Sequence, residues 1–522
     1  MDAMTTHSFR LSQVNQAQLE RFAQELAFAL RPGDVISLTG DLGAGKTTLA
    51  RALIRALTND PEHEVPSPTF TLVQTYESER LGLAHFDLYR LSAPEELDEL
   101  GFEHLVEAGA ALVEWPQRAM ERLPAERLEV SLAEPGVGDS ETRDVLVSGH
   151  GIWAARARRL EAMHELIRDA GFDGDDVDFS MLAGDASTRH YGRLVRHTLL
   201  PRSCLVMDWP RQPDGPPVRD GLPYSQVAKL AEDVRPFLAI ARALRDSGLS
   251  APRIMGADTK TGFIVLEDLG ALGYAEALAD GVPQEEIWRD GVDALLALRH
   301  VRADQTFQAG NGEQYSLPRL DRPILEIETD LVPDWLWEAV HGCPPTAAER
   351  HRYRSTWAPV FERILAEPTG WMLRDYHSPN LILLPDREGA RRVGIIDFQD
   401  ALQGPAAYDL VSLLQDARLD VPAELEDELL GYYCAQAATT DATFDEARFR
   451  FVYAALGAQR NSKILGIFAR LARRDGKPRY LAHLPRIWGY LERNLLHPEL
   501  RALAQWYEDI FPGSVRRRAL AL

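Results

Sequence analysis

The chain has 522 residues, 45% hydrophobic and 26% charged, which suits a folded globular protein of roughly two to four domains. A formal net charge of −22 excludes a large basic nucleic-acid footprint, so no strong direct nucleic-acid binding is expected. Three cysteines far apart, Cys204, Cys343 and Cys434, exclude a disulfide framework or a CxxC zinc site.

Leu19, Phe22, Ala23, Leu26 and Leu30 recur at helical spacing and predict a helix over 16–30, closed by Arg31-Pro32-Gly33-Asp34. Val35 to Thr39 is a short apolar strand. Gly40 to Thr47 then spells G-x-x-x-x-G-K-T, and TLARALIRALT continues as a helix. Strand, glycine loop and helix are the context this motif requires. Backbone N–H groups at Gly43, Ala44 and Gly45 can close around phosphate oxygens, and the helix start at Lys46, Thr47 and Thr48 favours an anion. Lys46 supplies a point charge, and the Thr47 hydroxyl is a candidate magnesium ligand.

Ser67-Pro68-Thr69-Phe70 places Thr69 in a loop. Leu83 to Leu88 is a strand carrying His85 and Asp87, and Ala108 to Trp115 is a buried strand ending in Glu114. An acid at such a strand end is where a second magnesium contact sits. Taken alone, Glu114 reads more readily as a solvated strand end, and His85 as a satisfied surface or core histidine.

The set GDLGAGKTTLAR, SPTF, HFDLYRL and VEWP, in that order over about the first 150 residues, resembles the TsaE family. These are small ATPases needed for the threonylcarbamoyl modification of adenosine 37 in tRNA. The resemblance implies that Lys46 and the Gly43–Gly45 loop hold ATP and that Thr47 and Glu114 hold Mg2+. It also implies that Thr69 faces the γ-phosphate, that Asp87 is a catalytic acid near the reacting water, and that the other subunits of the threonylcarbamoyladenosine synthesis complex are partners.

Turn residues dominate 133–151 apart from a strand near Asp144 to Ser148, and a helix follows from Trp153 to Ala170. The expected boundary therefore falls near 150, between a domain at 1–150 and one at 151–522 (N-lobe about 175–270, C-lobe about 271–515). Gly184 to Val195 reads as strand, tight turn, strand, in which Arg189 or Arg193 could neutralise phosphates; an ordinary hairpin with exposed arginines fits equally. The strand Cys204 to Asp208 carries no lysine, and none occurs between Lys46 and Lys229, so any charge neutralisation there falls to arginine or metal. Phe263 to Leu269 is an apolar strand bearing Glu267 and Asp268. Helices are expected over Pro283–His300, Ala347–Ala366 and 449–474, with a solvated Arg516-Arg517-Arg518 tail.

The richest stretch is 371–409. Asp375 and Asn380 are spaced D-x-x-x-x-N after Arg374, and Asp397 opens Asp397-Phe398-Gln399 behind the apolar run Val393 to Ile396. Phosphoryl transfer needs this set: one carboxylate, Asp375, to take the proton of an attacking hydroxyl, and Asn380 with Asp397 to hold magnesium. Asp409 is expected to brace the loop. Tyr376, His377 and Asp400 are acceptor-contact candidates.

LRDYHSPNLILLP and GIIDFQDALQGPAAYDLVSLLQDAR resemble the aminoglycoside phosphotransferase family, most of all its bacterial amino-sugar kinase branch, over roughly 160–515. That resemblance implies a kinase-like fold, ATP and Mg2+, backbone contact to adenine near Glu267, and phosphorylation of the anomeric hydroxyl of N-acetylmuramate and N-acetylglucosamine in cell-wall recycling. The fold expected is thus an α/β P-loop NTPase domain followed by an α+β protein-kinase-like two-lobed domain. Other small hydroxyl acceptors (an aminoglycoside, choline, homoserine) and a catalytically weak docking module for the ATPase stay open. MDAMTTHSFR lacks an apolar core and no apolar run reaches a membrane span, so a cytoplasmic location is expected.

Overall fold

A computed structural model describes residues 5–135, 141–182 and 189–516. The chain forms two compact units, one of Met1–Pro210 with Ile254–Asp268 and the other of Arg211–Arg253 with Leu269–Leu522.

The first unit holds a seven-stranded sheet in the order Thr6–Val14, Arg143–His150, Leu128–Ala133, Val35–Thr39, Ala110–Glu114, Leu83–Asp87, Val73–Tyr76. Leu128–Ala133, Val35–Thr39, Ala110–Glu114 and Leu83–Asp87 run parallel. VISLT, AALVE and LAHFD are almost wholly buried, as strands covered on both faces must be. The register sets Leu38 and Asp87 on either side of Glu114, so three strand ends meet where ligands bind in open α/β sheets. The helices Gln16–Ala29 and Lys46–Thr58 form as expected. Asn15 caps the first through a reciprocal bond with Gln18.

The strand Thr6–Val14 was not among the predicted elements. Its apolar side chains are few, and it is an edge strand whose partner, Arg143–His150, lies at the other end of the sheet's sequence.

The first unit also contains a five-stranded antiparallel sheet, ordered Ile254–Asp258, Phe263–Glu267, Ser203–Asp208, His190–Arg196, Val177–Met181. The helix Ile152–Asp169 serves both sheets. Trp153 and Ala157 lie so close to Gly149 that any β-carbon there would stand 2.2 Å from the Trp153 carbonyl oxygen. Arg156 donates to Asp34 at 2.6 Å on the first sheet's side, and Arg159 donates to the Thr261 carbonyl at 3.0 Å on the other. One apolar core accordingly runs from Phe9 and Phe22 through Trp153, Leu160 and Met163 to Phe179, Val206 and Phe263. The first sheet ends at His150, and the compact unit continues to Pro210, because the helix that follows has buried residues for both sheets.

The second unit is mainly helical. Its longest helix, Glu446–Arg473, is buried along most of its central length. Against it pack Leu484–Leu495, Ala407–Leu414, Arg322–Thr329 and Ala347–Leu365. Two short strand pairs carry the motif residues: Gly370–Met372 with Leu402–Gly404, and Leu381–Leu383 with Val393–Ile395. The expectation of a solvated arginine tail needs correction at Arg516, whose guanidinium pairs with Glu492 and Glu508; Arg517 and Arg518 lie outside the described residues. Among the described residues no helix is long and apolar enough to cross a membrane.

Candidate functional site

In the glycine loop, Gly40, Gly43 and Gly45 have φ of +138°, +81° and +103°, the region open to glycine at little cost. A β-carbon on Gly40 would lie 2.3 Å from the Leu132 carbonyl oxygen, so the strand must carry glycine at this exit. Ala44 is buried at the loop's crest. Lys46 Nζ folds back to donate to the carbonyls of Gly40 and Asp41, 2.8 Å each, and lies 3.9 Å from the Trp115 ring centroid. Burial pushes the Lys46 ammonium below its ordinary value, against the pull of Glu114, Asp87 and Asp41.

Thr47 Oγ1 donates to Glu114 Oε2 at 3.1 Å, and His85 Nε2 donates to Glu114 Oε1 at 3.0 Å. Glu114 is therefore a buried acid, and His85, fully buried, is a core histidine that holds it. Thr48 follows on the helix's first turn. Thr69 Oγ1 donates to Asp87 Oδ2 at 2.8 Å, so the loop threonine and the strand-end acid are in contact. Ser67 also reaches Asp87, at 3.3 Å. Ser67 and Trp115 were not among the predicted site residues, although both stand inside the quoted motifs.

On the second sheet, Arg193 Nε pairs with Asp268 Oδ2 at 2.9 Å, Arg189 lies over the Trp209 ring, and Glu267 faces Cys204 across the strand register. Residues 183–188, which include most of the predicted tight turn, lie outside the described residues.

In the second unit, Asp409 is fully buried and accepts from the backbone N–H groups of Leu373 at 2.6 Å and Arg374 at 2.9 Å, the bracing role expected of it. Burial raises its carboxyl to about 7, although both N–H groups pull it down. Arg374 and Asp397 take φ of +70° and +61°, backbone strain retained where a loop is held from several sides. Asn380 Nδ2 donates to the Asp375 carbonyl at 2.9 Å and to Asp397 Oδ2 at 3.3 Å. The structure thus brings Asp375, Asn380 and Asp397 together from a stretch of 23 residues, and among the described residues nothing donates to the Asn380 amide oxygen. Gln399 Nε2 donates to Asp397 Oδ1 at 3.1 Å. Tyr376, an expected acceptor contact, is buried with its hydroxyl donated to the Gly291 carbonyl at 2.8 Å. Asp400 accepts from Ala231 N at 2.6 Å, and its carboxyl is raised by burial. His377, pushed down by burial, lines a cavity of about 160 Å³ together with Asp375.

A glycine loop entering a helix whose Thr47 meets the buried Glu114, and an Asp–Asn–Asp cluster in the loops flanking short strands, define a P-loop nucleotide hydrolase fold joined to a kinase-like phosphotransferase. Known proteins agree. The family described as threonylcarbamoyl adenosine biosynthesis protein TsaE matches residues 13–144, and the phosphotransferase enzyme family matches residues 222–452. An N-acetylmuramate/N-acetylglucosamine kinase of Caulobacter vibrioides is 38% identical over 351 residues, 66% of this chain and 94% of that protein. The protein of the same name from Pseudomonas aeruginosa is 33% identical over 335 residues, 64% of this chain and 88% of that one. The tRNA threonylcarbamoyladenosine biosynthesis protein TsaE of Rickettsia felis is 40% identical over 118 residues, 23% of this chain and 68% of that one. The chain belongs to both families, a TsaE ATPase followed by a phosphotransferase-family kinase.

Proposed function

We propose that the chain is bifunctional: its N-terminal ATPase serves the threonylcarbamoyladenosine modification of tRNA adenosine 37, working with the other subunits of that synthesis complex, and its C-terminal kinase phosphorylates the anomeric hydroxyl of N-acetylmuramate and N-acetylglucosamine. The observation that carries the kinase half is that Asn380 Nδ2 donates both to the main-chain carbonyl of Asp375 and to Asp397 Oδ2. The relatives' names support the choice of acceptor.

The residues present fit ATP with magnesium in both places. Thr47 with Glu114, and Asn380 with Asp397, offer only hard oxygen ligands. Magnesium keeps waters and phosphates as its remaining ligands, so one or two protein oxygens suffice. The Lys46 ammonium is held by loop carbonyls rather than by a carboxylate, so a phosphate is the natural acceptor for it. Bound magnesium supplies charge neutralisation on the phosphates. In the kinase, Asp375 takes the proton of the acceptor hydroxyl as that oxygen bonds to the γ-phosphorus and the bond to the ADP oxygen breaks; its carboxylate carries no hydrogen bond among the described residues. Asp409 keeps the Asp375 loop in place through Leu373 and Arg374. In the ATPase, Thr69 and Asp87 form the polar pair beside the nucleotide loop, with Asp87 as the acid near the reacting water.

The test is Asp375→Ala in the full chain, with labelled ATP and either sugar. Formation of the sugar 1-phosphate should vanish while nucleotide binding at the glycine loop persists; undiminished sugar phosphorylation would refute the assignment. For the other half, cells depleted of their own TsaE should recover modified tRNA when given the full chain, but not when given its Lys46→Ala variant.

A further inference from the structure

Arg460 stands in the middle of the Glu446–Arg473 helix and is 5% exposed. It lines the same cavity of about 160 Å³ as Asp375, with His377, Asp416, Arg418 and Lys463 also on the wall. The neighbouring buried charges are accounted for. Lys463 Nζ donates to Glu328 Oε1 at 2.8 Å. Asp416 accepts from Ser378 N and Arg418 N, each at 2.7 Å, and from Leu419 N at 3.0 Å. Arg460 differs from both: among the described residues nothing accepts a hydrogen bond from its guanidinium, and its Nη1 is wholly shut off from solvent.

Asp409 and His377 feel the Arg460 charge through space, yet neither is hydrogen-bonded to it. A buried guanidinium without an acceptor is a costly arrangement. Its five donors form a planar fork matched to a carboxylate. Arg418, exposed beside the cavity, adds a second cation, and His377, pushed down by burial, adds none of its own at neutral pH. Because the wall that carries Arg460 also carries Asp375, an anion bound there belongs to the molecule whose hydroxyl is being phosphorylated.

We propose that Arg460, assisted by Arg418, is an anion subsite that holds a carboxylate of the acceptor and makes the enzyme favour acidic over neutral amino sugars. This rests on the reading of the C-terminal kinase as an amino-sugar kinase. N-acetylmuramate carries a carboxylate on its lactyl ether and N-acetylglucosamine carries none, so the pair isolates the contribution of the subsite.

The experiment uses the full chain and its Arg460→Gln, Arg460→Lys and Arg418→Gln variants, with initial rates for both sugars at saturating ATP. In Arg460→Gln, kcat/KM for N-acetylmuramate should fall about 10- to 100-fold, the worth of one hydrogen-bonded charge. The loss should lie mainly in KM, while N-acetylglucosamine changes little. Arg460→Lys should restore part of the loss, and Arg418→Gln should give a smaller one of the same kind. Equal loss with both sugars, or no loss with either, overturns the subsite. If the unaltered protein phosphorylates neither sugar, the acceptor assignment has failed on its own, and calorimetric titration decides the subsite: N-acetylmuramate binding that Arg460→Gln abolishes supports it, and binding that is absent or unchanged overturns it.

Discussion

Arg374 Nη2 donates to Glu328 Oε1 at 2.6 Å, with both side chains out of solvent. Lys463 shares the same oxygen, Gln459 donates to the other at 2.8 Å, and Arg374 Nη1 donates to the Ala228 carbonyl at 2.9 Å. The residue before Asp375 is therefore anchored to the long central helix through one carboxylate. Replacing Glu328 by Gln leaves two buried cations facing a neutral amide. Breaking a buried charge network in this way costs about 3–5 kcal/mol. Urea unfolding at neutral pH should show the second unit destabilised by that order.

The same carboxylate gives an acid-dependent term. Burial alone would raise the Glu328 carboxyl, but Lys463 and Arg374 outweigh it and bring it to about 2 from an ordinary 4.5. Between these values the unfolded chain binds the extra proton, so stability falls as pH drops from 4.5 through 2 and is fully present above 4.5. Unfolding measured across that window should show a steeper acid limb for the unaltered protein than for Glu328→Gln. Parallel limbs in the two proteins would remove Glu328 from the account.

How much of this was legible in the chain alone depends on sequence distance. The glycine loop and the Asp375–Asn380–Asp397 set were readable because each is local: a few residues, fixed spacing and a strand or helix on either side. Thr69 with Asp87, and Thr47 with Glu114, were readable only as members of motif sets, since the strand register that joins them is a long-range fact. Glu328 and Lys463 are 135 residues apart, and no periodicity links a helix-end glutamate to a mid-helix lysine. Arg460 reads in sequence as one more basic residue of an amphipathic helix, and only the fold shows that its guanidinium is enclosed. The helix Ile152–Asp169 was visible, but its apolar spacing could not tell that it would pack against two sheets.

In the function proposed for the glycine loop, Lys46 meets phosphate and Thr47 meets metal. Thr47→Val keeps the shape and removes the hydroxyl that donates to Glu114. Lys46→Ala removes the charge held by Gly40 and Asp41. Each should weaken nucleotide binding to the ATPase by about 10- to 100-fold, the value of a charge-assisted contact. Titration with a fluorescent ATP analogue, with the kinase pocket blocked by Asp397→Asn, checks this. Sugar phosphorylation in the two single variants should stay within about twofold. A parallel loss would mean that the two nucleotide sites are coupled.

Asp409 uses one carboxylate oxygen on each of two successive N–H groups. An asparagine of the same shape has one oxygen to offer, and its amide nitrogen would face a donor. Asp409→Asn therefore leaves a buried N–H of the catalytic loop unsatisfied, at a cost of about 1–3 kcal/mol. Because the loop's hold on Asp375 is what slackens, the expected result is a fall in kcat of about 10- to 100-fold with little change in the KM for ATP. Steady-state kinetics on a variant whose melting temperature has been measured beside the parent's separates this from general unfolding. A kcat equal to the parent's would show that the brace is dispensable for the position of Asp375.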